Sequence, residues 1–395
     1  MTGSGSAESP SARPDLAVVV REWGRIGCLG FGGPPTHIRM LRDLCVERMA
    51  WLSPVEFEDA VAACNLLPGP ASTQLAIFCS WRVRGRVGAL LGGAAFIAPG
   101  LIVILGLAAV FLQGSPPRLV LAAGAGAGSA VAAVAVHAAA GLVPASWARA
   151  RSGGRAQWWR WPVYVLAGLV AAATMGPWVV GVLLACGIIE VAVRGRGRPG
   201  VGPLSAVPAP LLAIGSLSLP TSLSLPTLVS LVWVALKVGA LSYGGGFVIV
   251  PLMQNDAVRV HGWMSAGQFL NAVALGQITP GPVVQTVAVV GYAAAGLGGG
   301  VLAALVAFSP SFLFVLFGAP HFERLRTNAT ARAFLDGAGP AAIGAILGSA
   351  VTLARALTQP WQFAVLAVAG LLLVVLHRNV VVTLLGAALA GMIIA

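Results

Sequence analysis

The chain has 395 residues, of which 58% are hydrophobic and only 9% charged. A soluble fold carries about 25% charged residues, so an aqueous multidomain protein is excluded and lipid must be the main solvent. The net charge of +12, from 24 basic and 12 acidic side chains, does not point to nucleic acid, because the arginines fall in short runs between apolar segments, as in the cytoplasmic loops of membrane proteins.

In chain order, residues 1–14 lack an apolar run and read as a disordered tail with no cleavable signal. Six apolar segments follow, at about 16–31, 60–81, 87–112, 119–143, 162–175 and 178–193. An Arg/Gly/Pro/Ser-rich linker, 194–224, leads to six more, at about 226–243, 268–293, 296–318, 333–356, 361–376 and 380–395. A helix needs about 20 residues to cross the hydrocarbon core, so the last two segments of each half are short. The five cysteines (Cys28, Cys45, Cys64, Cys79, Cys186) have no CxxC spacing and read as small apolar residues.

The halves, 15–193 and 225–395, repeat one another. Leu29–Pro70 laid on Leu241–Pro282 without a gap gives 13 identities in 42 pairs, among them Trp51 with Trp263 and Pro68-Gly69-Pro70 with Pro280-Gly281-Pro282. Apolar composition alone does not put Trp, Ser and PGP in register, so the chain is an internal duplication. Arg39, Arg42 and Arg48 precede the second segment, and Arg82, Arg84 and Arg86 follow it. These basic loops should share one side, so that segment should enter and return. Half two has no Lys or Arg after its second segment but carries Arg324, Arg326 and Arg332 after its third. The expected fold is an all-α polytopic membrane protein of two inverted-topology repeats, each with about five transmembrane helices plus a broken re-entrant PGP segment.

Two prolines around a glycine stop a helix, and the second is a good first residue for the next. Pro70 and Pro282 should each start a half-helix whose free amides favour an anion. Asn65, Ser72, Thr73 and Gln74 cluster at the first break, with Gln277, Thr279, Gln285 and Thr286 at the second. The alternative is a kink with packing residues. Gly32-Gly33 and Gly244-Gly245 form a second pair of breaks that can bring backbone close to a ligand. Lys237, the only lysine, can neutralise an anion or snorkel to the interface. His37 follows the first break, with Ile249 as its counterpart, while Asp256 reads as a loop acid. Gly88-xxx-Gly92 and Gly296-xxx-Gly300 read as packing faces, with Gly88 and Gly300 equivalent. No catalytic constellation falls inside the apolar segments, and no cofactor or metal is expected.

Phe31–Ile38, Trp51–Phe57 and Asn65–Ala76, with Tyr243–Gly246, Gly262–Ser265 and Gly276–Pro282 as a second copy, resemble the chromate ion transporter family in its two-domain form. The resemblance implies transport of chromate, with sulfate as a structural analogue, and chromate resistance by efflux from a multi-pass protein of the cell membrane. Pro35 stands where the family more usually has a small residue. Uptake of sulfate or another oxyanion, and a non-transporting structural subunit, stay open as alternatives. A homodimer also stays open, and no nucleic-acid partner is expected.

Overall fold

The computed structural model describes residues 14–67, 69–112, 116–152, 155–175, 178–195, 225–242, 247–319 and 328–394. The expected tail, most of the linker, Pro68, Arg324, Arg326, and Tyr243–Gly246 with Gly244 and Gly245 lie outside the described residues. Long apolar runs have no water to satisfy their amides, so they close hydrogen bonds within the helix. Half one runs through α1 (Leu16–Leu29), α2 (Pro34–Arg42), α3 (Pro54–Leu66), α4 (Ala71–Phe111), α5 (Arg118–Ser152), α6 (Arg155–Val170) and α7 (Val179–Gly195). Half two runs through α8 (Leu225–Leu241), α9 (Val250–Gln254), α10 (Ala266–Ile278), α11 (Thr286–Gly318), α12 (Ala329–Ala354), α13 (Pro360–Gly370) and α14 (Val380–Ile394). No β-strand occurs among the described residues. Four helical stretches are long and apolar enough to cross a membrane: Ala71–Phe111, Arg118–Ser152, Val283–Gly318 and Ala329–Ala354. The chain is a multi-pass membrane protein.

The duplication is visible in local detail. A π-helical turn spans Asp43–Arg48 in half one and Asn255–Val260 in half two. Each is followed by a left-handed residue, Ala50 at φ 49° and Gly262 at φ 62°. The Trp51 and Trp263 amides each donate back into that turn at 2.8 Å, to Cys45 and Ala257. Ser53 and Ser265 then cap α3 and α10 by accepting from the amides of Glu56 and Gln268. Asp256 is therefore not a loop acid. It is buried within the second π-turn.

α4 and α11 are each two helices folded back on themselves. Arg84 and Gly85 break α4, and Ala295 and Gly296 break α11. A Cβ on Gly88 would overlap the Ser80 carbonyl, and one on Gly93 would stand 2.8 Å from Ile77 Cγ1. A straight helix would separate residues 77 and 93 by about 24 Å at 1.5 Å per residue. In α11 it is Gly299 that overlaps the carbonyl of its partner, Gly291. Gly88 thus matches Gly299 rather than Gly300. One residue fewer separates Pro282 from Gln285 than Pro70 from Gln74, which moves the repeat offset from 212 to 211 beyond the PGP. Gly296 is not a packing residue either. It is the hinge, at φ 63°.

The halves interlock. α1 packs on α4 through Gly27 against Phe96, and α8 packs on α11 through Gly239 against Ala307. The later helices cross over: α12 packs on α6 and α7, while α5 packs on α13 and α14. Small residues make this possible. A Cβ on Gly168 would overlap the Ala341 carbonyl, and one on Gly126 the Ala387 carbonyl. At the centre, Gly93 faces Phe312 and Gly300 faces Leu105. As one number rises the other falls, so the second arms of α4 and α11 pass antiparallel.

Candidate functional site

Each PGP is tied to the opposite half. The Gly69 amide donates to the Ser242 carbonyl at 2.8 Å, and the Gly281 amide donates to the Gly30 carbonyl at 3.2 Å. Ser242 and Gly30 are themselves repeat equivalents. Both PGP glycines are left-handed, at φ 123° and 101°, a region that residues with a Cβ enter at a cost. Both following prolines are N-caps, one position before the first helical residue expected of them. Pro70 opens α4 directly, and Pro282 opens a 3-10 turn, Val283–Gln285, that leads into α11. The N-cap prolines have no N–H, and the amides of Thr73 and Gln285 donate to the Pro70 and Pro282 carbonyls at 2.9 Å, so the amides left without a partner within the helix are those of Ala71 and Ser72 at one start and Val283 and Val284 at the other.

The glycine-rich break after α1 meets the second PGP through Gly30, not through the expected pair. Gly32 and Gly33 carry the turn at φ 97° and 75°, and a Cβ on Gly33 would meet nothing within 4 Å. The Gly30 carbonyl also accepts from His37 Nε2 at 2.9 Å. That bond fixes the neutral imidazole with Nδ1 as acceptor, facing the Ser72 hydroxyl at 3.3 Å. Fully buried His37 therefore connects the first break, through Ser72, to the second, through Gly30 and Gly281.

At the second break the donors are largely spent. The hydroxyls of Thr279 and Thr286 donate to the carbonyls of Leu275 and Val283, both at 2.8 Å. Gln285 Nε2 donates to the Ile97 carbonyl at 3.0 Å, which leaves Gln285 Oε1 and Gln277 Nε2 without partners. The first break differs. Thr73 Oγ1, Ser242 Oγ and Ser311 Oγ are buried hydroxyls without a hydrogen-bond partner. Such a group costs roughly 1–3 kcal/mol. Pro70, Ser72 and Gln74 are buried beside them.

A cavity of about 170 Å³ adjoins Gly69 and is lined by Asn65, Ser146, Arg149 and Gly339 among others. A cavity of that size has room for several waters or one small polyatomic ion. Arg149 reaches it from α5 and lies 3.5 Å from Asp336 of α12. Asp336 is held more closely by Arg194, at 2.7 Å. Arg194 and Arg160 both grip fully buried Glu190, at 2.9 and 2.7 Å.

Lys237 is engaged by its own neighbours. Its ammonium pairs with Asp256 and sits 5.8 Å over the Trp233 ring. Neither the anion contact nor simple snorkelling describes it. Ser242, Ser311 and Arg149 escape a reading of the sequence. The available signals were a serine immediately before the Tyr243 motif and Ser311 inside an apolar run after Pro310. Among the described residues no group of three or more His, Cys, Asp or Glu could hold a metal ion.

A family model described as "Chromate transporter" matches residues 17–191 and 229–392. The chain is 32% identical over 387 residues to the chromate transport protein of Cupriavidus metallidurans, covering 96% of this chain and 93% of that one. It is 29% identical to the chromate transport protein of Pseudomonas aeruginosa, covering 94% and 90%. The probable chromate transport protein of Synechococcus elongatus is 28% identical over 84% and 82%. No solved structure matches.

Proposed function

The chain belongs to the chromate transporter family, and from that premise we propose that it exports chromate from the cell through the paired helix breaks, with sulfate as a competing analogue. The observation that carries this reading is the crosswise exchange of Gly69 with Ser242 and Gly281 with Gly30. It holds interrupted backbone inside packed protein, the setting in which such backbone is tolerated at membrane depth.

Two features support an inverted repeat with re-entrant segments. The equivalent second arms of α4 and α11 run antiparallel, from Gly93 against Phe312 to Leu105 against Gly300. Arg82, near the end of the first arm of α4, pairs with Glu56 at the start of α3. The chain thus descends through α3 to the PGP and returns to its starting level, a depth of about 20 Å for 13 helical residues. Arg42 pairs with Glu58 at the same level, so the basic stretches on either side of the segment share one face, read as cytoplasmic.

Energetics favour the outward direction. Moving one charge through 100 mV is worth about 2.3 kcal/mol, so a dianion leaving a negative-inside cell gains about 4.6 kcal/mol. At about 1.4 kcal/mol per decade, that sustains a gradient of ~10³ without a coupling cation. The buried carboxylates support this. Glu22, Glu190 and Asp256 are each paired with Arg or Lys away from the PGP glycines, so none is placed as a proton or sodium site beside the breaks. Transport driven by the membrane potential, or exchange with another anion, is the reading.

The test is radiolabelled chromate uptake into inside-out vesicles of the cell membrane. Uptake should rise with an inside-positive potential and fall as unlabelled sulfate is added. Flux indifferent to the potential would leave exchange alone, and absence of flux would overturn transport.

A further inference from the structure

The two breaks are equivalent in backbone but not in chemistry. With the offset of 212 before the PGP and 211 after it, Ser242 corresponds to Gly30, Thr73 to Val284 and Ser311 to Gly100. Every hydroxyl left without a partner at the first break therefore corresponds to a residue at the second that has no hydroxyl. Ser311 Oγ lies 3.3 Å from where a Gly69 Cβ would stand, Ser242 receives the Gly69 amide, and Thr73 sits in the first turn of α4. The three residues thus gather around Gly69, Ser311 through its hydroxyl, Ser242 through its backbone and Thr73 through the turn that starts at Pro70. At the second break the same space is closed, since Gly100 lets the Pro280 carbonyl and the Gln285 amide press against α4. Among the described residues, the side-chain donor left unspent there is Gln277 Nε2.

We propose that the transported oxyanion is held at the first break alone, by the hydroxyls of Thr73, Ser242 and Ser311, and that the second break is a structural mate without a binding role. This assignment rests on the transport reading above. A fully deprotonated tetrahedral dianion has only lone pairs to offer, so it needs donors, and three rotatable hydroxyls beside the new helix start of α4 supply them. Arg149 stands at the cavity that leads to Gly69. It is the arginine of its cluster most loosely held, 3.5 Å from Asp336, against contacts of 2.7–2.9 Å for Arg160 and Arg194. It can turn to an arriving anion without breaking the cluster.

The experiment uses the full-length protein reconstituted in liposomes, with radiolabelled chromate as the probe. Thr73→Val keeps the shape and removes the hydroxyl, Ser311→Ala removes another, and Thr73→Ser restores a donor. Val284→Thr places a hydroxyl at the mirror position. Melting of each purified variant without chromate checks the fold. The expected result is a rise of at least fivefold in the chromate half-saturation for Thr73→Val and Ser311→Ala, at a melting temperature no lower than the parent's. Thr73→Ser and Val284→Thr should stay within twofold of the parent. A parent that transports while Thr73→Val and Ser311→Ala shift by less than fivefold overturns the site and leaves transport standing. A fivefold shift of the half-saturation in either direction in Val284→Thr overturns the asymmetry. A parent with no chromate flux overturns transport and the site together.

Discussion

Gly100 lies directly against the carbonyl of Pro280. A Cβ there would overlap that oxygen and stand 2.5 Å from Gln285 Oε1. The equivalent position in half two is Ser311, whose hydroxyl lies 3.3 Å from where a Gly69 Cβ would stand. One side of the central crossing is closed by backbone contact, and the other carries a buried serine. Gly100→Ala should therefore destabilise the protein by about 1–3 kcal/mol, the usual cost of overpacking a filled interior. Gly106→Ala, where nothing lies within 4 Å, should be neutral. Melting in detergent compares the two, and an equal response would refute the close contact.

The PGP glycines make a second case. Gly69 and Gly281 are left-handed, and a Cβ on Gly69 would also press on Gln74 Nε2 at 2.5 Å. Each Gly→Ala change should cost about 1–3 kcal/mol in backbone strain and reduce chromate flux. Because the amide is retained, the hydrogen bonds to Ser242 and Gly30 should strain rather than vanish, so the protein should still reach the membrane. Immunoblotting of membranes alongside flux separates misfolding from lost transport.

Much of this architecture was legible before any coordinates. Trp51 with Trp263, Ser53 with Ser265 and the two PGP motifs stand 212 apart, and backbone breaks cannot be hidden in an apolar run. The one-residue slip after Pro282 was not legible, because an ungapped match that stops at the PGP ends before the register changes. Nor were Ser242 and Ser311, whose importance comes from Gly69, more than 170 residues away. Lys237 and Asp256 misled for a related reason. The π-turn over Asn255–Val260 turns Asp256 inward, where a plain reading placed it in a loop.

That ion pair yields a third expectation. Asp256 is 5% exposed, so Lys237→Met should strand a buried carboxylate and cost more than a surface pair is worth. A buried partner left alone typically costs about 3–5 kcal/mol. Lys237→Met combined with Asp256→Leu should recover part of that loss. A double-mutant cycle on melting that returns no coupling would show that the pair does not form.

The cluster around Glu190 carries the last prediction. Glu190 has no exposure and accepts from Arg160 at 2.7 and 2.9 Å, from Arg194 at 2.9 Å and from the Tyr164 hydroxyl at 3.1 Å. Arg194 then reaches Asp336 of α12, so one carboxylate fastens α6 and α7 to each other and, through Arg194, to the opposite half. Glu190→Leu leaves two arginines without their shared acceptor, and the loss should be about 3–5 kcal/mol. Asp336→Ala should cost less, because Arg194 keeps Glu190 and Arg149 is half-exposed. Denaturant unfolding in detergent should rank the variants with Glu190→Leu weakest. The reverse order would mean that Asp336, rather than Glu190, anchors the junction between the halves.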